Sequence, residues 1–143
     1  MSQEAILRAI PHRPPFLFLD RIVKQNEQRL VAEKTFVTSE GFYEGHYPGN
    51  PITPGVILCE SCFQAAAVLL ASRSELHEGA TPVLSRITDA RFKHIVTPEE
   101  PLRITVDFIE QRARFGFLKA VVTNAEGKTA LQLEFALAMV ESP

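Results

Sequence analysis

Two stretches near the carboxyl end of the chain alternate between apolar and polar positions. Residues 102–108 and residues 131–139 both place leucine, isoleucine, valine, phenylalanine or methionine at every second position. A period of two is typical of β-strands, because successive side chains point to opposite faces of a sheet. The polar residues 124–128 stand between the last two long strands and therefore predict a hairpin turn.

Residues 56–73 lack this alternation and predict one long helix. Pro54 and Gly55 stand at its start, and the alanines, leucines and glutamine within it favour helical structure. From Val56 onwards the side chains are apolar nearly all round the helix. We therefore expect this helix to be buried.

The amino-terminal part of the chain predicts shorter elements. Residues 2–10 form a helix that ends before Pro11, because proline cannot continue it. Residues 17–23 and 30–37 are predicted strands. The remaining segments are a loop at residues 38–54 and a polar linker at residues 74–81.

Together these elements predict an α+β fold, with a curled antiparallel sheet of five to six strands around one long central helix. The 143 residues are the size of one domain, so we expect a single domain over 1–143. The net charge is -2, so the chain lacks the excess of basic residues that is typical of nucleic-acid-binding proteins. The longest apolar run, residues 65–71, is too short to span a bilayer. The absence of a secretory signal and the presence of two cysteines favour the cytoplasm.

The loop at residues 44–55 is the most unusual stretch of the sequence. Three glycines and three prolines restrict its backbone around a single histidine, His46. A loop of this kind positions a side chain for binding or catalysis. The alternative is a structural turn whose histidine is only solvated.

Gly55 and Glu60 lie at the start of the long helix. The unpaired N–H groups there suit a carbonyl oxygen that gains negative charge. Glu60 is the only charged residue between Gly55 and Arg73, and a carboxylate on a buried apolar helix is costly unless it is paired or protonated. We expect a protonated carboxyl that suits a general acid, oriented by Gln64 one turn later. The alternative is an exposed glutamate favoured by the helix dipole.

Cys59 and Cys62 have the C-x-x-C spacing but lie within the predicted helix. A redox motif needs this spacing at a helix amino terminus that follows a strand. Two cysteines alone do not complete a zinc site, so we predict no metal. We interpret both as small buried apolar side chains.

Four basic side chains, Arg86, Arg91, Lys93 and His94, lie close together in the sequence. An exposed strand face is the ordinary explanation for such a group. An anchor for an acidic partner is the functional alternative.

Three ordered motifs resemble those of the 3-hydroxyacyl-acyl carrier protein dehydratases. Residues 11–21 (PHRPPFLFLDR) resemble the opening motif of that family. Residues 45–51, followed by residues 54–56 and by Glu60 with Gln64, look like its active-site loop and helix. Residues 90–93 (ARFK) resemble a later strand motif. The similarity covers nearly the whole chain. It implies the hot-dog fold, a curled antiparallel sheet around one long helix, paired into dimers.

The resemblance also implies roles for individual residues. His46 corresponds to the catalytic histidine, Glu60 to the catalytic carboxylate, and Gly55 to the residue whose N–H holds the thioester oxygen. Pro54, Val56 and Gln64 correspond to supporting positions. Glutamate rather than aspartate at position 60 resembles the branch of the family that serves general chain elongation. The other branch also isomerises the double bond. No metal or organic cofactor is implied, because the thioester itself acidifies the α carbon.

The implied activity is the dehydration of (3R)-3-hydroxyacyl thioesters on acyl carrier protein to trans-2-enoyl thioesters in fatty acid biosynthesis. The implied assembly is a homodimer or a trimer of dimers, in which His46 meets Glu60 of the partner. Arg86, Arg91 and Lys93 would contact the carrier protein.

The chain also departs from the family pattern. Phe63 replaces a small residue, Val83 an aromatic one and Arg86 a glycine, and residues 99–100 replace a Gly-Asp turn. Phe63 and Arg86 together predict a reshaped acyl tunnel. An acyl thioesterase and a non-catalytic acyl- or carrier-binding protein remain alternatives, because the same fold serves them.

Overall fold

The computed structural model describes residues 2–73 and 79–141. A short 3₁₀ turn, Gly41–Glu44, lies within the loop that precedes the long helix. The other elements, in chain order, are α1 (Gln3–Ala9), β1 (Arg21–Gln25), β2 (Arg29–Thr35), α2 (Gly55–Ala71), β3 (Ala80–Phe92), β4 (Pro101–Arg112), β5 (Phe115–Thr123) and β6 (Thr129–Glu141).

The strands of the described residues form one six-stranded sheet in the order β1-β2-β4-β5-β6-β3. Every pairing is antiparallel. The alternation predicted for residues 102–108 is confirmed, because Leu102, Ile104 and Val106 are buried while Arg103 is exposed. The predicted hairpin turn is confirmed too, since the Asn124 N–H donates to the Lys128 carbonyl across 2.9 Å.

Helix α2 packs against five strands, β2 to β6. All its side chains from residue 61 to residue 70 are buried. The expected curled sheet around one long helix is therefore confirmed. The burial predicted for Val56 is wrong, because 75% of this residue is exposed and burial begins only at Leu58. Among the residues described, none of the helices has the length and apolar character needed to cross a membrane.

Several element boundaries differ from the prediction; the strand expected at residues 30–37, for example, ends at Thr35. The strand expected at residues 17–23 begins only at Arg21, because the Phe18 N–H donates to the side chain of Gln64 rather than to a neighbouring strand. The linker expected at residues 74–81 ends earlier, since β3 begins at Ala80. Residues 74–78 of that linker lie outside the described residues.

Strand β3 forms one edge of the sheet and, within residues 2–73 and 79–141, pairs with β6 alone among the strands. Side chains on both of its faces are exposed from residue 83 to residue 92. Several of these are large and apolar, namely Val83, Leu84, Ile87 and Phe92. The carboxyl end of this strand lies beside the amino terminus of α2, because a Cβ at Gly55 would lie 2.7 Å from the ring of Phe92.

Candidate active site

The loop around His46 is held at both of its ends. The Tyr43 hydroxyl and the Thr53 hydroxyl form a buried hydrogen bond of 2.5 Å across the loop. The Thr53 N–H donates to the Val96 carbonyl across 2.8 Å, which fixes the loop to the segment that follows β3. Burial raises the pKa of Tyr43, so its hydroxyl stays neutral at ordinary pH and remains able to donate.

His46 itself is half-buried, and its ring stacks on Tyr47. Its Nδ1 lies 2.9 Å from the Ile52 carbonyl oxygen. A carbonyl only accepts hydrogen bonds, so Nδ1 carries the proton of the neutral ring. The other ring nitrogen, Nε2, therefore has a free lone pair, which is the state that a general base requires.

Glu60 lies on the second turn of α2, and its side chain is 24% exposed. One carboxyl oxygen, Oε2, accepts a hydrogen bond of 3.1 Å from Gln64 Nε2 and lies 3.6 Å from His12 Nε2. The other oxygen, Oε1, has no hydrogen-bond partner in the described part of the chain and is not buried. One oxygen is thus held by the protein, whereas the other makes no hydrogen bond within the described residues of one chain.

Gln64 is fully buried and connects α2 to the segment before β1. Its Oε1 accepts the Phe18 N–H at 2.7 Å, and its Nε2 donates to the Phe16 carbonyl at 3.1 Å as well as to Glu60. These bonds satisfy a buried amide that would otherwise destabilise the core. The predicted pairing of Gln64 with Glu60 agrees with this geometry.

Gly55 is the first residue of α2 and follows Pro54 directly. As the first helical residue, it has no acceptor within the helix for its N–H. Beside it lies a cavity of about 280 Å³ whose walls include Thr53, Leu58 and Phe92. A side chain at position 55 would require the ring of Phe92 to move, because its Cβ would lie 2.7 Å from a ring carbon of that residue.

The structure brings only some of the predicted site residues together. Gln64 contacts Glu60, whereas no hydrogen bond, ion pair or ring contact joins His46 to Glu60 among the described residues of one chain. His12 also lies beside Glu60, a neighbour that was not predicted from the sequence. Its position within the motif at residues 11–21 was the only available signal.

The remaining candidates lie outside this cluster. Arg86 and Arg91 are exposed on β3 and Lys93 is exposed just after it, and Arg91 pairs with Asp89 at 3.0 Å. Cys59 and Cys62 are buried free thiols, as predicted. In residues 2–73 and 79–141, no three histidine, cysteine, aspartate or glutamate side chains are grouped as a metal site.

The sequence matches known proteins along almost its entire length. The FabA-like domain model matches residues 10–134. A 3-hydroxyacyl-[acyl-carrier-protein] dehydratase FabZ of Clostridium perfringens is 37% identical over 139 residues, which are 97% of this chain and 99% of that protein. The FabZ of Chloroflexus aggregans is 38% identical over 142 residues, which are 99% of this chain and 97% of that protein.

Solved structures share the fold at lower sequence identity. A chain of the dehydratase heterocomplex ApeI:P from Xenorhabdus doucetiae superposes with a TM-score of 0.80 at 16% identity, over 96% of this chain and 91% of that chain. A hypothetical thioesterase from Streptococcus pneumoniae superposes with a TM-score of 0.65 at 17% identity, over 98% and 94%. These structural similarities support the hot-dog fold. The domain match and the two relatives aligned over nearly their full length show that the chain belongs to the FabA-like dehydratase family.

Proposed function

We propose that this protein dehydrates (3R)-3-hydroxyacyl thioesters on acyl carrier protein to trans-2-enoyl thioesters in fatty acid biosynthesis. The observation that carries the proposal is the hydrogen bond from His46 Nδ1 to the Ile52 carbonyl, which leaves Nε2 as a base. The dehydratases that resemble the chain over nearly its full length support the substrate class.

The proposed reaction uses one base and one acid. His46 Nε2 takes the proton from C2 of the substrate, and the electron pair left behind forms the C2=C3 double bond. The C3–O bond breaks, and a proton from Glu60 Oε1 joins the departing hydroxyl to give water. Return of the proton from His46 to Glu60 completes the cycle, so the reaction needs neither a metal nor a redox cofactor.

Gly55 is proposed to stabilise the charge that develops on the thioester oxygen. Its N–H lies at the positive end of α2 beside the 280 Å³ cavity. Pro54 sets the chain direction into the helix, and Val56 is exposed where the acyl thioester would approach. Gln64 supports Glu60 through the 3.1 Å hydrogen bond.

The active site is proposed to form between two copies of the chain. Strand β3 lies at the edge of the described sheet, and its Val83, Ile87 and Phe92 are 41%, 47% and 54% exposed. Apolar edge strands of this length pair with another chain unless they are protected. A homodimer joined along β3 would cover these residues and would bring His46 of one chain to Glu60 of its partner.

Mixing two inactive variants tests the shared site. Homodimers of His46→Ala and of Glu60→Gln would each lack one group in both sites. Heterodimers of the two would contain one intact site, so co-expression should restore about a quarter of the wild-type rate, given statistical pairing in a two-fold dimer. No recovery in co-purified heterodimers would show that both groups act within one chain.

The basic side chains near β3 are proposed to bind the acidic carrier protein. Arg86 and Lys93 are exposed and have no ion pair among the described residues. Charge reversal at these two positions should raise KM for a carrier-bound substrate and leave KM for a coenzyme A thioester unchanged.

We propose that the reaction takes place in the cytoplasm.

An assay with crotonyl thioester tests the activity directly. We expect loss of enoyl absorbance as water adds in the reverse reaction, and a fall of about 10²–10⁴-fold in His46→Ala and Glu60→Gln. Full activity in both variants would refute the assigned roles. Release of free thiol from acyl-coenzyme A without enoyl turnover would instead show a thioesterase.

A further inference from the structure

The segment that carries His12 is held firmly beside α2. The guanidinium of Arg13 donates to the carbonyls of Leu7, Ile10 and His12 at 2.9, 2.9 and 2.7 Å. Gln64 binds the backbone of Phe16 and Phe18 from the other side. The position of His12 relative to Glu60 is therefore set by hydrogen bonds on both sides of it.

The two nitrogens of the His12 ring have different surroundings. Nε2 lies 3.6 Å from Glu60 Oε2, which is longer than a hydrogen bond but close enough for a direct electrostatic interaction. Nδ1 is buried and has no hydrogen-bond partner among the described residues. A buried N–H without an acceptor is costly, so the neutral ring carries its proton on Nε2, facing Glu60.

Two N–H groups therefore face the same oxygen of Glu60. Gln64 donates to Oε2 at 3.1 Å, and His12 Nε2 approaches Oε2 from the segment before β1. A carboxylic acid has one carbonyl oxygen, which accepts, and one hydroxyl oxygen, which donates. Donors gathered at Oε2 make it the carbonyl oxygen and assign the acidic proton to Oε1.

We infer that His12 is a positioning residue for Glu60, one that keeps the acidic proton on Oε1 and directs it towards the departing hydroxyl of the substrate. This inference rests on the proposed dehydration, in which Glu60 is the acid. Catalytic hydrogen bonds are often long without substrate and shorten in the reactive complex, which fits the 3.6 Å approach. His12 itself neither gains nor loses a proton in this scheme.

Two polar replacements of similar character test the role of Nε2. In His12→Gln the amide nitrogen reaches the position of Nε2, whereas in His12→Asn it reaches only that of Nδ1. We expect His12→Asn to lower kcat for a crotonyl or 3-hydroxybutyryl thioester by about 10–100-fold with little change in KM. His12→Gln should recover most of this loss. Equal kcat values in the two variants would overturn the inference.

A double-mutant cycle with Glu60→Gln separates positioning from a structural role. If His12 acts through Glu60, then adding His12→Asn to Glu60→Gln should cost almost nothing further. Additive losses would overturn the inference. Thermal unfolding of each variant identifies any loss of activity that follows from loss of fold.

The cycle also distinguishes this inference from the proposed function. Full activity in Glu60→Gln would refute the role of Glu60 as the acid, and the positioning role of His12 would fall with it. A large loss in Glu60→Gln together with a harmless His12→Asn would refute the positioning role alone.

Discussion

Gln64 lies one helical turn after Glu60 on α2 and donates a hydrogen bond of 3.1 Å to its Oε2. The same amide accepts the Phe18 N–H and donates to the Phe16 carbonyl. Because the side chain is fully buried, this one residue joins the proposed acid to the packing of the chain before β1. Catalytic geometry and core stability should therefore change together when Gln64 is replaced.

Gln64→Leu should lose both stability and activity. The buried Phe18 N–H and Phe16 carbonyl would lose their partner, which should lower the free energy of unfolding by about 1–3 kcal/mol. Glu60 would lose the donor that fixes Oε2, so kcat should fall by about 10–100-fold. Urea unfolding and enoyl hydration kinetics measure the two effects.

A matched control for this change is Gln25→Leu. Gln25 also donates a side-chain hydrogen bond, at 3.0 Å to Ser72 Oγ, but in an exposed position. Its replacement should cost about 1 kcal/mol or less and leave kcat unchanged. Similar losses in the two variants would contradict the role given to Gln64.

Gly55→Ala should displace the ring of Phe92. The added methyl group would lie 2.7 Å from Phe92 Cε1, which is closer than van der Waals contact allows. Because 54% of Phe92 is exposed, its ring can move aside, so the free energy of unfolding should fall by no more than about 1 kcal/mol. Movement at the first turn of α2 should also lower kcat/KM.

Adding Phe92→Leu to Gly55→Ala should restore part of both losses, since the smaller side chain leaves room for the methyl group. Phe92→Leu alone serves as the reference variant. A double variant as impaired as Gly55→Ala would show that the Phe92 contact is not the cause.

Tyr43→Phe should loosen the loop that carries His46. The Thr53 hydroxyl would lose its buried partner, which should lower the free energy of unfolding by about 1–3 kcal/mol. Replacing both partners, in Tyr43→Phe with Thr53→Val, leaves no unpaired hydroxyl and should recover much of that stability. Chemical unfolding of both variants checks this prediction, and a double variant no more stable than Tyr43→Phe would contradict it.

The sequence predicted those parts of the fold in which one face of an element meets the core. Residues 102–108 alternate because only one face of β4 is buried, and α2 is apolar because strands cover it from several sides. Strand β3 has no such asymmetry in a single chain, since both of its faces are exposed over most of its length. Hydrophobic periodicity could not define it.

In the candidate site, too, local contacts could be predicted from the sequence, whereas contacts between distant segments could not. The pairing of Glu60 with Gln64 follows from helical spacing alone, because residues four apart share one face. The approach of His12 to Glu60 depends on hydrogen bonds between segments far apart in the sequence. No local pattern records such contacts, so only the three-dimensional structure shows them.

The buried thiol of Cys62 should make stability depend on alkaline pH. Burial raises the pKa of Cys62 far above its ordinary value of 9.0, so the folded protein keeps this thiol neutral at pH 10 while the unfolded chain ionises it. The stabilising contribution is therefore present below pH 9 and is lost as the pH rises above it. Between pH 7 and pH 10 the loss is about 1 kcal/mol for this one group.

Cys62→Ala removes the thiol, so a comparison of the variant with the wild type measures the contribution of Cys62 to the pH dependence of stability. The variant should be less stable than the wild type at pH 7, because it leaves a small cavity in the core. At pH 10 the difference in the free energy of unfolding should be smaller by about 1 kcal/mol, since only the wild type contains the Cys62 thiol, which ionises on unfolding. Urea unfolding of both proteins at the two pH values measures this change. A difference that stays constant between the two pH values would mean that Cys62 ionises as readily in the folded protein as in the unfolded chain. We expect the opposite, because Cys62 is completely buried between α2 and the sheet.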